Sequence, residues 1–362
     1  MLGLSSGLTH PDYIAPDIEQ PTDISGLIGW WDFTDSSTMY TDAGSTNVSS
    51  NDEGIYRIDN KAYTLQANDT SAIGQFLQQP TEDDRPLFRT GESLGENNKS
   101  FAFFYQDAGT ESMNMFAHSS VGNTVSGKLS TATYDNDAQT IFCVYHITTR
   151  VPSRMNLFGL YGHDYDSSSG LLERYKTHGQ LQYRILDRSD TDGDGDVDTN
   201  DEYRPELEMK KGSNNGTGPE SRIWDTVGTG AELEASVKFR YDTIVVDGQA
   251  ATTTSQPYLR PGRLYKNGDD SNGIGPSYKT DVSDDTDETV NLGLDGTISP
   301  FAVQIGAYLS TSPLFSTYLA ANANFTASTK LYEIIYYNKV LNAEEIAGVH
   351  SYIESKYGEP PY

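Results

Sequence analysis

The stretch Lys330-Leu-Tyr-Glu-Ile-Ile-Tyr-Tyr337, continued by Asn338-Lys-Val-Leu-Asn-Ala-Glu-Glu-Ile346 and closed by Lys356-Tyr-Gly358, decides the fold class. Its first half is dense in β-branched and aromatic residues and reads as a strand. Its second half changes period. Asn342 can cap a helix, Glu345 completes a capping box, and Ile346, Val349, Ile353 and Tyr357 recur at helical spacing until Gly358 and Pro360 stop it. A strand followed by a single one-sided helix implies a helix laid on a sheet.

Working outward, helical periodicity is almost absent before residue 340, and the 24 Tyr, 33 Gly and abundant Asn, Ser, Thr and Asp favour strands and turns. Strand candidates are Gly26-Leu-Ile-Gly-Trp-Trp-Asp-Phe33, Ser100 to Tyr105, Thr140 to Ile147, Leu157 to Tyr161, Leu181 to Leu186, Thr243 to Val246, Arg263 to Gly268 and Ala302 to Gly306. The class is therefore all-β. Trp30 and Trp31 alternate across a strand, so one is expected in the core and the other at most partly exposed. The single Cys143 lies in an apolar run and reads as a buried thiol, with no disulfide framework available. Residues 1–24, with Pro11, Pro16 and Pro21, read as an extended attachment arm, and residues 25–362 as the sandwich. Acidic, Gly/Ser-rich insertions fall at 165–170, 187–202, 212–220 and 267–288.

A formal net charge of −27, from 52 Asp+Glu against 25 Lys+Arg, repels phosphate backbones and anionic lipid. Nucleic acid and membrane are excluded as expected partners. No stretch approaches the roughly 18 apolar residues of a membrane span, and Met1 to Gly7 lacks the features of a signal peptide. The expectation is a protein released by lysis, such as a virion component.

One segment carries chemistry. In Asp190-Thr-Asp-Gly-Asp-Gly-Asp-Val-Asp-Thr-Asn-Asp201, Asp190, Asp192 and Asp194 occupy loop positions 1, 3 and 5, Gly195 makes the turn at 6, and Asp196 offers its carbonyl at 7. Val197 can pack inward, Asp198 fits position 9, and Asp201 closes the loop, with Glu202 able to substitute. So many carboxylates repel one another unless a hard cation with roughly 6–8 oxygen ligands joins them. Structural calcium is the expectation, in an insertion at about 187–203 whose spacing resembles the calcium repeat of dockerin modules.

The order of segments resembles the concanavalin-A-like, laminin-G-like jelly-roll domains of bacterial surface proteins and tailed-phage virions. The resemblance rests on Leu27-Ile-Gly-Trp-Trp-Asp-Phe33, on Arg57-Ile-Asp-Asn-Lys-Ala-Tyr-Thr-Leu-Gln66 read as a strand then a polar turn, and on the closing strand, capped helix and Lys-Tyr-Gly358. It implies a two-sheet antiparallel sandwich over about residues 24–358. It also implies a non-enzymatic virion surface protein (capsid decoration, fibre or knob), multicopy or homo-oligomeric and attached to other virion proteins through the arm. The alternative is a glycan-binding adhesin or tail protein that recognises host polysaccharide. Glu232-Leu-Glu234 lacks the third carboxylate of a retaining glycosidase strand, and His163-Asp164-Tyr165-Asp166 reads as a polar loop. Tyr161, Tyr165, Tyr203, Tyr258 and Tyr265, in or near loops, are the aromatic candidates for stacking on sugars, with packing as the competing role.

Overall fold

The computed structural model describes residues 20–43, 45–65, 75–79, 82–91, 96–104, 113–116, 138–147, 154–162, 164–166, 171–173, 180–187, 203–210, 220–224, 239–247, 262–266, 301–306 and 329–358. Antiparallel strands dominate. In chain order they are β1 (Leu27–Asp32), β2 (Met39–Tyr40), β3 (Glu53–Gly54), β4 (Arg57–Asp59), β5 (Phe76–Gln78), β6 (Leu87–Arg89), β7 (Phe101–Phe104), β8 (Met113–Phe116), β9 (Ala138–Ile147), β10 (Arg154–Gly162), β11 (Asp164–Asp166), β12 (Leu171–Glu173), β13 (Gln180–Asp187), β14 (Tyr203–Lys210), β15 (Glu220–Trp224), β16 (Phe239–Asp247), β17 (Gly262–Lys266), β18 (Phe301–Ile305) and β19 (Thr329–Tyr337). Among the described residues, two α-helices join them, α1 (Lys61–Leu65) and α2 (Ala343–Tyr357).

An eight-stranded sheet runs β17-β16-β9-β19-β7-β6-β3 with β1 off this path on β19, and a nine-stranded sheet runs β15-β14-β13-β10-β18-β8-β5-β4-β2. β9 lines one edge of β19, while β7 and β1 share the other edge in tandem, β7 against Thr329 to Leu331 and β1 against Glu333 to Tyr337. The sheets meet through aromatic rings. Phe158 of the second sheet packs on Trp31 and on Tyr336 of the first, with centroids 6.3 and 5.8 Å apart. Gly29 is required there, because a Cβ at that position would come within 2.8 Å of the Trp31 ring.

The centre of the first sheet, at β1 and β19, is buried on both faces. Trp30, Phe142, Val144, Tyr241, Ile335 and Tyr337 on its far side join Ile346, Val349, Ile353 and Tyr357 of α2 in one apolar cluster. This is why β19 carries a nearly unbroken apolar run instead of an alternating one. Within the expectation for the tryptophan pair, both Trp30 and Trp31 are buried, because the helix covers the face that alternation would leave to water. The Arg57–Gln66 segment differs, since its expected polar turn contains α1, five residues too short to show a period.

The capping box read from sequence is present. Asn342 Oδ1 accepts from the backbone of Glu344 and Glu345 at 2.9 Å, and Glu345 Oε2 accepts from the Asn342 backbone at 2.9 Å. Close to this cap, joined to it through Lys339, Pro21 and Ile24 are buried and Tyr337 donates to the Pro21 carbonyl at 2.9 Å. The chain is thus docked from Pro21 onward, four residues inside the segment read as an arm.

Candidate functional site

The expected calcium ligands Asp190, Asp192, Asp194, Asp196, Asp198 and Asp201, with Glu202, lie outside the described residues, as do His163, Tyr258, Glu232 and Glu234. The strands on either side of the Asp-rich segment are described. β13 and β14 pair antiparallel with Asp187 opposite Tyr203, so residues 188–202 connect the two arms of a hairpin. Tyr161, Tyr165, Tyr203 and Tyr265 fall within strands, at or near their ends: β10, β11, β14 and β17 respectively. Among the described residues, no group of three or more His, Cys, Asp or Glu could hold a metal ion.

What the structure assembles instead is a buried ionic cluster under α2. Asp32 and Glu333 are direct cross-strand partners on β1 and β19, an arrangement that is repulsive for like charges. A register shift between Leu331 and Glu333 turns Tyr332 and Glu333 together toward the helix. Lys356 of α2 enters between the carboxylates, 2.8 Å from Asp32 Oδ2 and 3.1 Å from Glu333 Oε2. Lys61 of α1 reaches Asp32 at 3.1 Å and Asp35 at 3.0 Å, its ammonium 4.4 Å from the Trp30 ring centroid.

The remaining lone pairs are filled. Asp32 Oδ1 accepts from the Thr34 backbone and hydroxyl at 3.0 and 2.6 Å. Glu333 accepts from Trp30 Nε1, from Tyr352 at 2.8 Å and from Tyr357 at 2.7 Å. Burial alone would raise the Asp32 pKa, but Lys356 and Lys61 outweigh it and bring it down to about 2. Burial likewise works against the charge on Lys356, yet Glu333 and Asp32 hold its pKa above the ordinary value. Burial, reinforced by the charges of Glu333 and Asp32, pushes the Tyr352 and Tyr357 hydroxyls up, so they stay protonated as donors. The two carboxylates, each with four donors and both nearly inaccessible, have no lone pair left over. The cluster locks α1 and α2 to the sheet.

Sequence reasoning passed over these residues because they come from four distant elements. The available signal was a carboxylate inside an apolar run, Asp32 between Trp31 and Phe33 and Glu333 between Tyr332 and Ile334.

A second grouping lies on the outward face of the second sheet. Ile58, Leu77 and Met39 point into the sandwich and are fully buried, so Arg57, Asp59, Tyr40 and Phe76 share the opposite face. The Arg57 guanidinium stacks 4.0 Å above the Phe76 centroid and 5.1 Å from that of Tyr40. Asp59 holds it through Nε at 2.7 Å and Nη2 at 2.6 Å, and Tyr40 donates to Asp59 at 3.1 Å. Arg57 and Asp59 keep 25% and 18% of their side-chain surface exposed, while the Phe76 ring beneath the guanidinium is buried.

No family model matches the chain, and no curated protein matches it. Among solved structures it is similar to Trypanosoma rangeli sialidase, with a TM-score of 0.33 and 11% identity over 92% of this chain and 33% of that one. It is similar to the CBM40 of Ruminococcus gnavus IT-sialidase bound to alpha2,3 sialyllactose, with a TM-score of 0.32 and 10% identity over 60% of this chain and 84% of that one. The leech intramolecular trans-sialidase gives a TM-score of 0.31 and 14% identity over 63% of this chain and 24% of that one. The chain spans about a third of the length of the Trypanosoma rangeli sialidase.

Proposed function

We propose that the chain is a carbohydrate-binding β-sandwich that acts without turnover, with structural calcium in the β13–β14 connection. The observation that supports binding is the partly exposed Arg57 guanidinium, lying over the buried Phe76 ring beside Tyr40. It offers a planar surface for a sugar ring, with the Asp59 carboxylate, the Tyr40 hydroxyl and the outer guanidinium N–H groups placed to read hydroxyls. Supporting the non-enzyme reading, the opposed pair Asp32 and Glu333 is sealed and saturated, whereas glycoside hydrolysis needs an acid of raised pKa facing the scissile bond.

The purified chain, with calcium present, should bind members of a glycan array. Arg57→Ala and Tyr40→Ala should each weaken that binding by roughly tenfold, the usual weight of an anchoring side chain. Binding unchanged in both variants would remove the site from this face, and reducing-sugar release from a bound polysaccharide would overturn the non-enzyme reading.

The setting we propose is a virion surface, as the laminin-G-like resemblance implies. Because Pro21 and Ile24 are packed, the attachment experiment is deletion of residues 1–19. Particle incorporation should be lost while the melting transition is kept. Full incorporation of the truncated chain would show that attachment lies elsewhere.

A further inference from the structure

A guanidinium presents its N–H donors as a side-on fork and an end-on fork. Asp59 Oδ1 takes the side-on fork of Arg57, with Nε at 2.7 Å and Nη2 at 2.6 Å. Among the described residues it is the one acceptor for this guanidinium, and the end-on fork, one N–H each from Nη1 and Nη2, points away from it. The buried Phe76 ring lies beneath, 4.0 Å from the guanidinium carbon, so the fork is held from the side and from below.

Asp59 also fixes what Tyr40 can do. Its second oxygen, Oδ2, accepts from the Tyr40 hydroxyl at 3.1 Å. Burial and the Asp59 charge raise the Tyr40 pKa, so the hydroxyl keeps this proton. With its hydrogen committed to Asp59, Tyr40 Oη meets a ligand as an acceptor.

The groups turned toward a ligand are therefore two parallel donors and one acceptor, on a pair of side chains whose opposite charges cancel. A carboxylate or sulfate on the end-on fork would share one guanidinium with Asp59 and place two like charges on either side of it. The net charge of −27 adds to that repulsion. Adjacent sugar hydroxyls offer the fork two oxygens without a charge, and a hydroxyl, unlike a carboxylate, also has a hydrogen to give to Tyr40 Oη.

We infer that this face selects neutral sugars bearing adjacent hydroxyls, and that Asp59 sets the preference by cancelling the charge of Arg57. The inference rests on the binding role proposed above for Arg57 and Tyr40, and it names the class of glycan that those residues take. Asp59 both holds the fork and neutralises it. Asp59→Asn separates the two, because a carboxamide oxygen still accepts from Nε and Nη2 but carries no charge.

The test titrates the full chain, with calcium present, against neutral oligosaccharides and their uronate-containing and sulfated counterparts. The wild-type chain should bind the neutral members about tenfold or more tightly than the acidic ones, with little change as salt is raised. Asp59→Asn should shift the ratio by about tenfold toward the acidic members and make their binding salt-sensitive. If Asp59 only holds the site together, both classes weaken alike and the ratio stays, which would overturn the inference. So would a wild-type preference for acidic glycans, or wild-type binding that weakens steeply with salt, a readout that needs no variant to fold. In each of those cases loss of binding in Arg57→Ala would still keep this face as the site, whereas binding that survives Arg57→Ala, or no glycan bound at all, removes the site and this inference with it.

Discussion

Without Lys356, Asp32 and Glu333 would face each other across the β1–β19 pair as two buried like charges. Lys356→Met should therefore cost about 3–5 kcal/mol, because one partner of a buried pair is removed and the others are left uncompensated. The same cluster sets an acid limit. Asp32 has a folded pKa of about 2 against 3.8 in the unfolded chain, so the unfolded state takes up more protons as pH falls. Its contribution, about 2 kcal/mol, is complete above about pH 4 and is lost on approach to pH 2. His350 acts earlier. Burial between Phe142 and Tyr241, with Thr243 Oγ1 at 2.8 Å from Nε2, lowers its pKa from 6.5 to about 4. The unfolded chain therefore binds a proton below pH 6.5 that the folded one refuses, and about 3 kcal/mol is lost between pH 6.5 and 4. Chemical denaturation at pH 7, 4.5 and 3 resolves the two windows. His350→Gln should flatten the upper one alone, and an upper window that survives this substitution would assign it to another group.

At the scale of elements, α2 is held by its cap, its apolar stripe and Lys356. Asn342→Ala removes the acceptor for two backbone N–H groups and should cost about 1 kcal/mol in thermal unfolding, with the fold retained. A change within error would mean that Glu345 and Lys339 hold the first turn without it. This helix was legible because its signals are local: a cap, a residue three positions on, and a stripe. The unbroken run Ile-Ile-Tyr-Tyr337 was equally legible as a strand, yet what covers its second face was not, so the full burial of Trp30 beside Trp31 could not be read either. Local periodicity reports which side chains avoid water and not which element excludes it. The ionic cluster was hidden for the same reason, since Asp32, Lys61, Glu333 and Lys356 meet only when β1, α1, β19 and α2 pack.

For the whole molecule, the two-sheet antiparallel sandwich with its C-terminal helix was readable from strand composition, turn residues and the single change of period, while strand order was not, because β19 pairs with β1, β7 and β9, which lie far before it in the chain. At this scale a net charge of −27 works against compactness, and six Asp between positions 190 and 201 concentrate part of that charge between two paired strands. Because Asp187 and Tyr203 are opposite one another, the ends of the Asp-rich connection are already brought together, and a cation binding there has little loop-closure entropy left to overcome. Calcium bound to the native state alone adds about 2.7 kcal/mol at 100-fold excess over Kd, and it also removes carboxylate repulsion next to β13 and β14. Melting should therefore shift upward with calcium and fall back on chelation, and Asp192→Ala with Asp194→Ala should abolish the difference. Magnesium, which keeps its waters and demands octahedral geometry, should replace calcium poorly. Identical melting curves in calcium and in chelator would overturn the assignment of Asp190, Asp192, Asp194, Asp196, Asp198 and Asp201 as ligands and leave the segment a solvated acidic connection, with sandwich and helix unaffected.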